Sequence, residues 1–120
     1  MNSVYIIKPE FKTCNSDIVW NTVVKYITLN GSFNSVKGIS YKATVINDTI
    51  SFIGGKEGTR LARKGNHYTK AEFIEVFDKI KECEYFNTNT INDRQFISMS
   101  FSYKRAPFIG LLYTVGIAIR

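Results

Sequence analysis

Histidine and tryptophan each occur once in the 120 residues, and cysteine, proline and methionine twice each. With a single histidine, any Cys–His or Ser–His catalytic pair must use His67. Cys14, His67 and Cys83 are too few, and too widely spaced, for the four ligands of a structural zinc site. Two cysteines also make no disulfide framework, and two free thiols in a reducing cytosol are the expectation. Long apolar runs are missing as well. The longest, from Phe108 to Ile119, contains Gly110, Thr114 and Gly116, whereas a membrane helix needs about 20 apolar residues. Met1-Asn2-Ser3-Val4-Tyr5 has no basic stretch and Lys8-Pro9-Glu10 closes the first apolar run, so no signal peptide is expected. No internal repeat, low-complexity tract or Pro/Gly/Ser linker divides the chain. The expectation is one cytoplasmic domain, 1–120, which can equally be a module of a longer protein.

The nucleotide and nuclease motifs are incomplete too. Gly54-Gly55-Lys56-Glu57-Gly58-Thr59 is glycine-rich but does not meet the phosphate-loop pattern G-x-x-x-x-G-K-[ST]. Glu10-Phe11-Lys12 has the E-x-K spacing of metal-dependent nucleases, yet no aspartate precedes it. Glu72, Glu75, Asp78 and Glu82 recur at helical spacing and predict a solvated helix face rather than an acid–base pair. No catalytic residue, metal or cofactor is therefore expected.

Apolar residues make up 44% and charged residues 22%, values that support an ordinary folded core. Sixteen Lys and Arg against ten Asp and Glu leave +6, which favours an anionic partner. Fifteen Ile, eleven Lys and ten Asn, all with AT-rich codons, suggest a low-GC genome, bacterial or phage.

Residues 4–7 predict a short strand stopped by Pro9. Ser16 and Asp17 predict a helix start, with Ser16 as N-cap. Trp20, Val23, Val24 and Ile27 supply the apolar face, and Gly31 the C-cap. Ile39, Tyr41, Ala43 and Val45 alternate with polar residues. Asn47-Asp48 then turns the chain, and 49–53 returns as the second arm of a hairpin. Thr69-Lys70-Ala71-Glu72 is a capping box, and Tyr68 and Phe73 fit its hydrophobic staple. A helix over 70–85 follows, burying Phe73, Val76, Phe77 and Ile80. Ile97, Met99, Phe101 and Tyr103 alternate with Ser and predict a strand, with a short helix over 91–98 as the alternative. Pro107 suits the start, and Gly116 the end, of a helix over 107–115, and 117–119 a last strand. The fold class is α+β: a small single domain with a β-hairpin or short antiparallel sheet packed on two or three helices.

Charge is segregated along this chain. Residues 54–70 carry Lys56, Arg60, Arg63, Lys64 and Lys70 against Glu57, so two-thirds of the net charge lies in 17 residues. Four glycines there allow close backbone approach to a ligand. The stretch ends at a helix N-terminus, where amides can meet an anion. Arg94, Lys104 and Arg105 form a second basic cluster, while residues 71–93 sum to −4. The expected function is nucleic-acid binding, with DNA favoured over RNA and phosphates met by Lys56, Arg60, Arg63, Lys64, His67, Lys70, Lys104 and Arg105. Tyr68 and Tyr103 are the candidates for stacking on bases, the alternative being core aromatics with exposed hydroxyls. The alternative is a small phage or mobile-element inhibitor or adaptor, docking its basic face on the acidic surface of a nucleic-acid enzyme. No membrane partner is expected.

Overall fold

Two residues with positive φ, Asn47 (49°) and Asp48 (57°), set the centre of the sheet. Both φ values suit the two-residue turn whose twist matches antiparallel strands. They join β3 (Ser40–Ile46) to β4 (Thr49–Gly54), paired from Ile46↔Thr49 to Tyr41↔Gly54. β2 (Ser32–Asn34) adds to β3, and β5 (Asn66–Thr69) to β4. The result is a four-stranded antiparallel sheet in the order β2-β3-β4-β5. The computed structural model describes residues 4–87 and 104–120, and of Arg60 and Leu61 only the backbone. The strand or helix expected within 91–103, with Arg94 and Tyr103, lies outside the described residues.

Strand alternation sends Phe33, Tyr41, Ala43, Ile50, Phe52 and Tyr68 to one face, where all are buried. Three helices cover that face: α2 (Ser16–Asn30), α4 (Lys70–Lys81) and α5 (Arg105–Val115). Two shorter helices, α1 (Pro9–Thr13) and α3 (Arg60–Arg63), sit in connections. The architecture is α+β, as expected. A relay of rings crosses the core from the sheet to α2. Phe52 stacks on Tyr68 at 4.9 Å, Tyr68 meets Phe108 at 5.6 Å, Phe108 meets Phe73 at 5.2 Å, and Phe73 meets Trp20 at 5.3 Å. Such pairs contribute about 0.5–1.5 kcal/mol each beyond the area they bury.

The helix ends follow local chemistry, with small corrections. Asn15, not Ser16, caps α2: its side chain accepts from the Asp17 amide at 2.8 Å. Ser16 is the first helical residue, and its hydroxyl donates to Asp78 of α4. Gly31 ends α2 with φ +68°. Thr69 caps α4 by accepting from the Glu72 amide at 3.1 Å, but the Glu72 carboxylate turns to Lys104 instead of closing the box. That helix stops at Lys81, short of the expected 85. α5 starts two residues before the expected 107. Pro107 still lies in the first turn, where an amide has no partner within the helix. Beyond Gly116, β6 (Ala118–Ile119) pairs with β1 (Ile6–Ile7) in a separate two-stranded sheet.

α5 fits the sheet it lies beneath. Its 11 residues span about 16 Å, and four strands span about 14 Å. Each end seals one sheet edge. Near its C-terminus, the Thr114 hydroxyl accepts from the Asn34 amide and donates to the Asn34 carbonyl, closing the edge of β2. At its N-cap, Lys104 donates to the His67 carbonyl, closing the edge of β5. Unpaired strand edges invite association, and these contacts block it. Gly110 brings the helix close: a Cβ there would lie 2.3 Å from the Asn34 oxygen. Among the described residues, no helix is long and apolar enough to cross a membrane.

Candidate nucleic-acid interface

The face of the sheet away from the helices carries the other half of each strand. Lys42 and Thr44 of β3, Ser51 and Ile53 of β4, and His67 of β5 all point there and are exposed. Pairing sets them in two rows, Lys42 opposite Ile53, and Thr44 opposite Ser51 opposite His67. Together with Lys64 they line a groove of about 890 Å³, and no carboxylate of the described residues lines it. Gly65, at φ +68°, forms one wall, and a Cβ there would lie 2.3 Å from the Phe52 oxygen. Only glycine lets the chain turn this tightly over the end of β4.

The residues expected from sequence divide into three groups. Lys64 and His67 reach the groove. Lys56 and Arg63 are exposed on the connection beside it, and Arg60 belongs to the same connection through α3. The remaining four do not line it. Tyr68 follows His67 on β5, so alternation turns it inward, and it is fully buried. It cannot stack on a base; its hydroxyl instead donates to the Lys104 carbonyl at 2.7 Å. Lys104 is also corrected: only 3% exposed, it donates to the His67 carbonyl and pairs with Glu72. Arg105 is half-buried at the start of α5. Lys70 pairs with Asp17 at 3.4 Å. The start of α4 is not an open anion site either, since Thr69 takes the Glu72 amide and the Asp48 carbonyl takes that of Lys70.

Lys42 was missed in the sequence, although its alternation with Tyr41 and Ala43 marks it as outward-facing. The basic stretch 54–70 shows no periodicity in the sequence. It contains α3 and β5, whose four residues each are too few to show a period.

The charge pattern is layered. Between Ser32 and Thr69, Lys37, Lys42, Lys56, Arg60, Arg63 and Lys64 face only Asp48 and Glu57. On the helical side, four lysines are neutralised: Lys70 by Asp17, Lys79 by Glu75, Lys81 by Asp78 and Lys104 by Glu72. Among the described residues, Lys42, Lys56, Arg63 and Lys64 make no ion pair. Lys42 and Lys64 thus bring positive charge without an ion pair into the groove, where it attracts anions. No family model, curated protein or solved structure matches this chain.

Proposed function

We propose that the protein is a non-enzymatic nucleic-acid-binding domain, DNA being the favoured ligand. Lys42, Lys64 and His67 meet phosphates in the groove, and Lys56 and Arg63 extend the contact along its rim. One observation carries this: Lys42 and Lys64, which make no ion pair, line a groove that no carboxylate of the described residues lines. Ser51 and His67 are cross-strand neighbours, but no hydrogen bond joins them and no carboxylate of the described residues orients the imidazole, which favours binding over nucleophilic catalysis. The two free thiols, Cys14 and Cys83, suit a cytoplasmic setting, and the Ile-, Lys- and Asn-rich composition a bacterial or phage source.

Salt dependence tests the proposal. Each phosphate neutralised adds a log–log slope of about −0.9 on duplex DNA and about −0.7 on a single strand. The variant Lys42→Ala/Arg63→Ala/Lys64→Ala should reduce the total slope by roughly 2–3, with little change in stability because exposed charges contribute little to folding. An unchanged slope and affinity would remove the groove as the contact surface. Absence of binding to duplex and single strand alike at about 50 mM salt, with binding to an acidic protein, would favour the inhibitor or adaptor role.

A further inference from the structure

The cations of the outer face lie in a hollow. Gly31 and Ser32 bound it at one end and the turn Lys64-Gly65-Asn66 at another, and the paired rows of β3, β4 and β5 form its floor. Duplex DNA is a convex cylinder, and proteins commonly read it by inserting a helix or two-stranded ribbon into its major groove. This face presents neither in suitable form. The β3–β4 ribbon ends in Ile46-Asn47-Asp48-Thr49, with a carboxylate at its tip and no cation. α3 is a single turn.

The floor is also not purely ionic. Ile53 is 42% exposed beside Lys42, and the hydroxyls of Thr44 and Ser51 lie in the adjoining row. An apolar surface has nothing to meet on a duplex backbone, whose base faces are stacked inside. An unpaired strand offers phosphates, base faces and base edges together. The groove volume lies within the range of sites that enclose a small molecule, so it holds only a few nucleotides. The rest of a longer strand would run over the connection bearing Lys56 and Arg63.

We propose that the groove binds single-stranded nucleic acid, its backbone passing between Lys42 and Lys64 while a base rests on Ile53. This deepens, and rests on, the nucleic-acid function proposed above.

Fluorescence anisotropy of the full chain with a labelled oligothymidine of about 12 nucleotides, and with a duplex of equal length, tests it. The single strand should bind at least roughly tenfold more tightly at low salt. Ser51→Glu puts a carboxylate in the groove and should lower single-strand affinity roughly tenfold or more. Ile53→Ser leaves the charge unchanged and should weaken the single strand roughly threefold while leaving the duplex unaffected. Thermal unfolding controls for folding, and Lys42→Ala replaces Ser51→Glu if the latter lowers the midpoint. Equal duplex binding, or no effect of either groove variant, would overturn the single-strand assignment while leaving nucleic-acid binding in place. No binding to either probe at about 50 mM salt would overturn both.

Discussion

Lys104 donates through Nζ to the main-chain carbonyl of His67, 2.7 Å away, so a buried lysine at the start of α5 fixes the very residue whose side chain lines the groove. The same ammonium pairs with Glu72 of α4 and lies 5.3 Å from the centre of the Tyr68 ring. One charge thus ties together β5, α4 and α5. Breaking a buried pair on one side leaves the other charge without a partner, at a cost of about 3–5 kcal/mol. Glu72 keeps a quarter of its side chain in water, which places the cost near the lower end. Lys104→Met should therefore lose roughly 3 kcal/mol in urea unfolding. Adding Glu72→Gln should recover much of it, and a double variant no more stable than the single would show that the pair is not what holds β5.

Tyr68 gives the protein an alkaline limit. Burial, the leading cause, together with nearby Tyr41 and Glu72, holds its hydroxyl well above the ordinary 10.0. Above that pH the unfolded phenol loses its proton while the folded one keeps it. The unfolded state then binds fewer protons, and stability falls as pH rises. Tyr68→Phe removes this dependence. At neutral pH it should cost only about 1 kcal/mol, since the Lys104 carbonyl still accepts from the Phe108 amide. Urea midpoints between about pH 9 and pH 11 should decline less steeply in the variant than in the parent.

Two glycines set distances that no larger residue can keep. Gly110→Ala would drive a methyl into the main chain at Asn34 and Ser35, and Gly65→Ala would meet the Phe52 carbonyl at a φ that alanine disfavours. Overpacking costs typically about 1–3 kcal/mol, and these contacts are with backbone, so calorimetry should show losses at the top of that range. The two variants should differ in binding. Gly65→Ala deforms the groove and should weaken oligonucleotide affinity even where the protein remains folded, whereas Gly110→Ala lies on the opposite side of the sheet.

Phe77 is fully buried on α4 and stacks on Phe73 at 6.1 Å. Phe77→Ala should cost about 3–5 kcal/mol, read from the unfolding midpoint. A midpoint hardly moved would mean that this helix face collapses around the cavity or contributes little to the core.

The α+β class, the hairpin with its Asn47-Asp48 turn, the capped start of α4 and the glycine ends of α2 and α5 were legible in the residues, because each arises from neighbours a few positions apart. The apolar stripe of α4 and the alternation in β3 needed nothing beyond the period of the backbone. Two elements of the sheet were not legible. β2 and β5, of three and four residues, exist because β3 and β4 supply their hydrogen-bond partners. Which cations face solvent was equally hidden. Lys104 and Lys42 look alike in sequence, as lysines beside tyrosines. Lys104 is buried because Glu72 and the His67 carbonyl, 32 and 37 positions earlier, meet its ammonium. Lys42 is exposed because pairing with β4 turns it away from the helices and into the groove. Sequence determined that the chain carries excess positive charge; only the tertiary structure decided where that charge lacks internal partners, because burial and ion pairing depend on residues far apart in the chain.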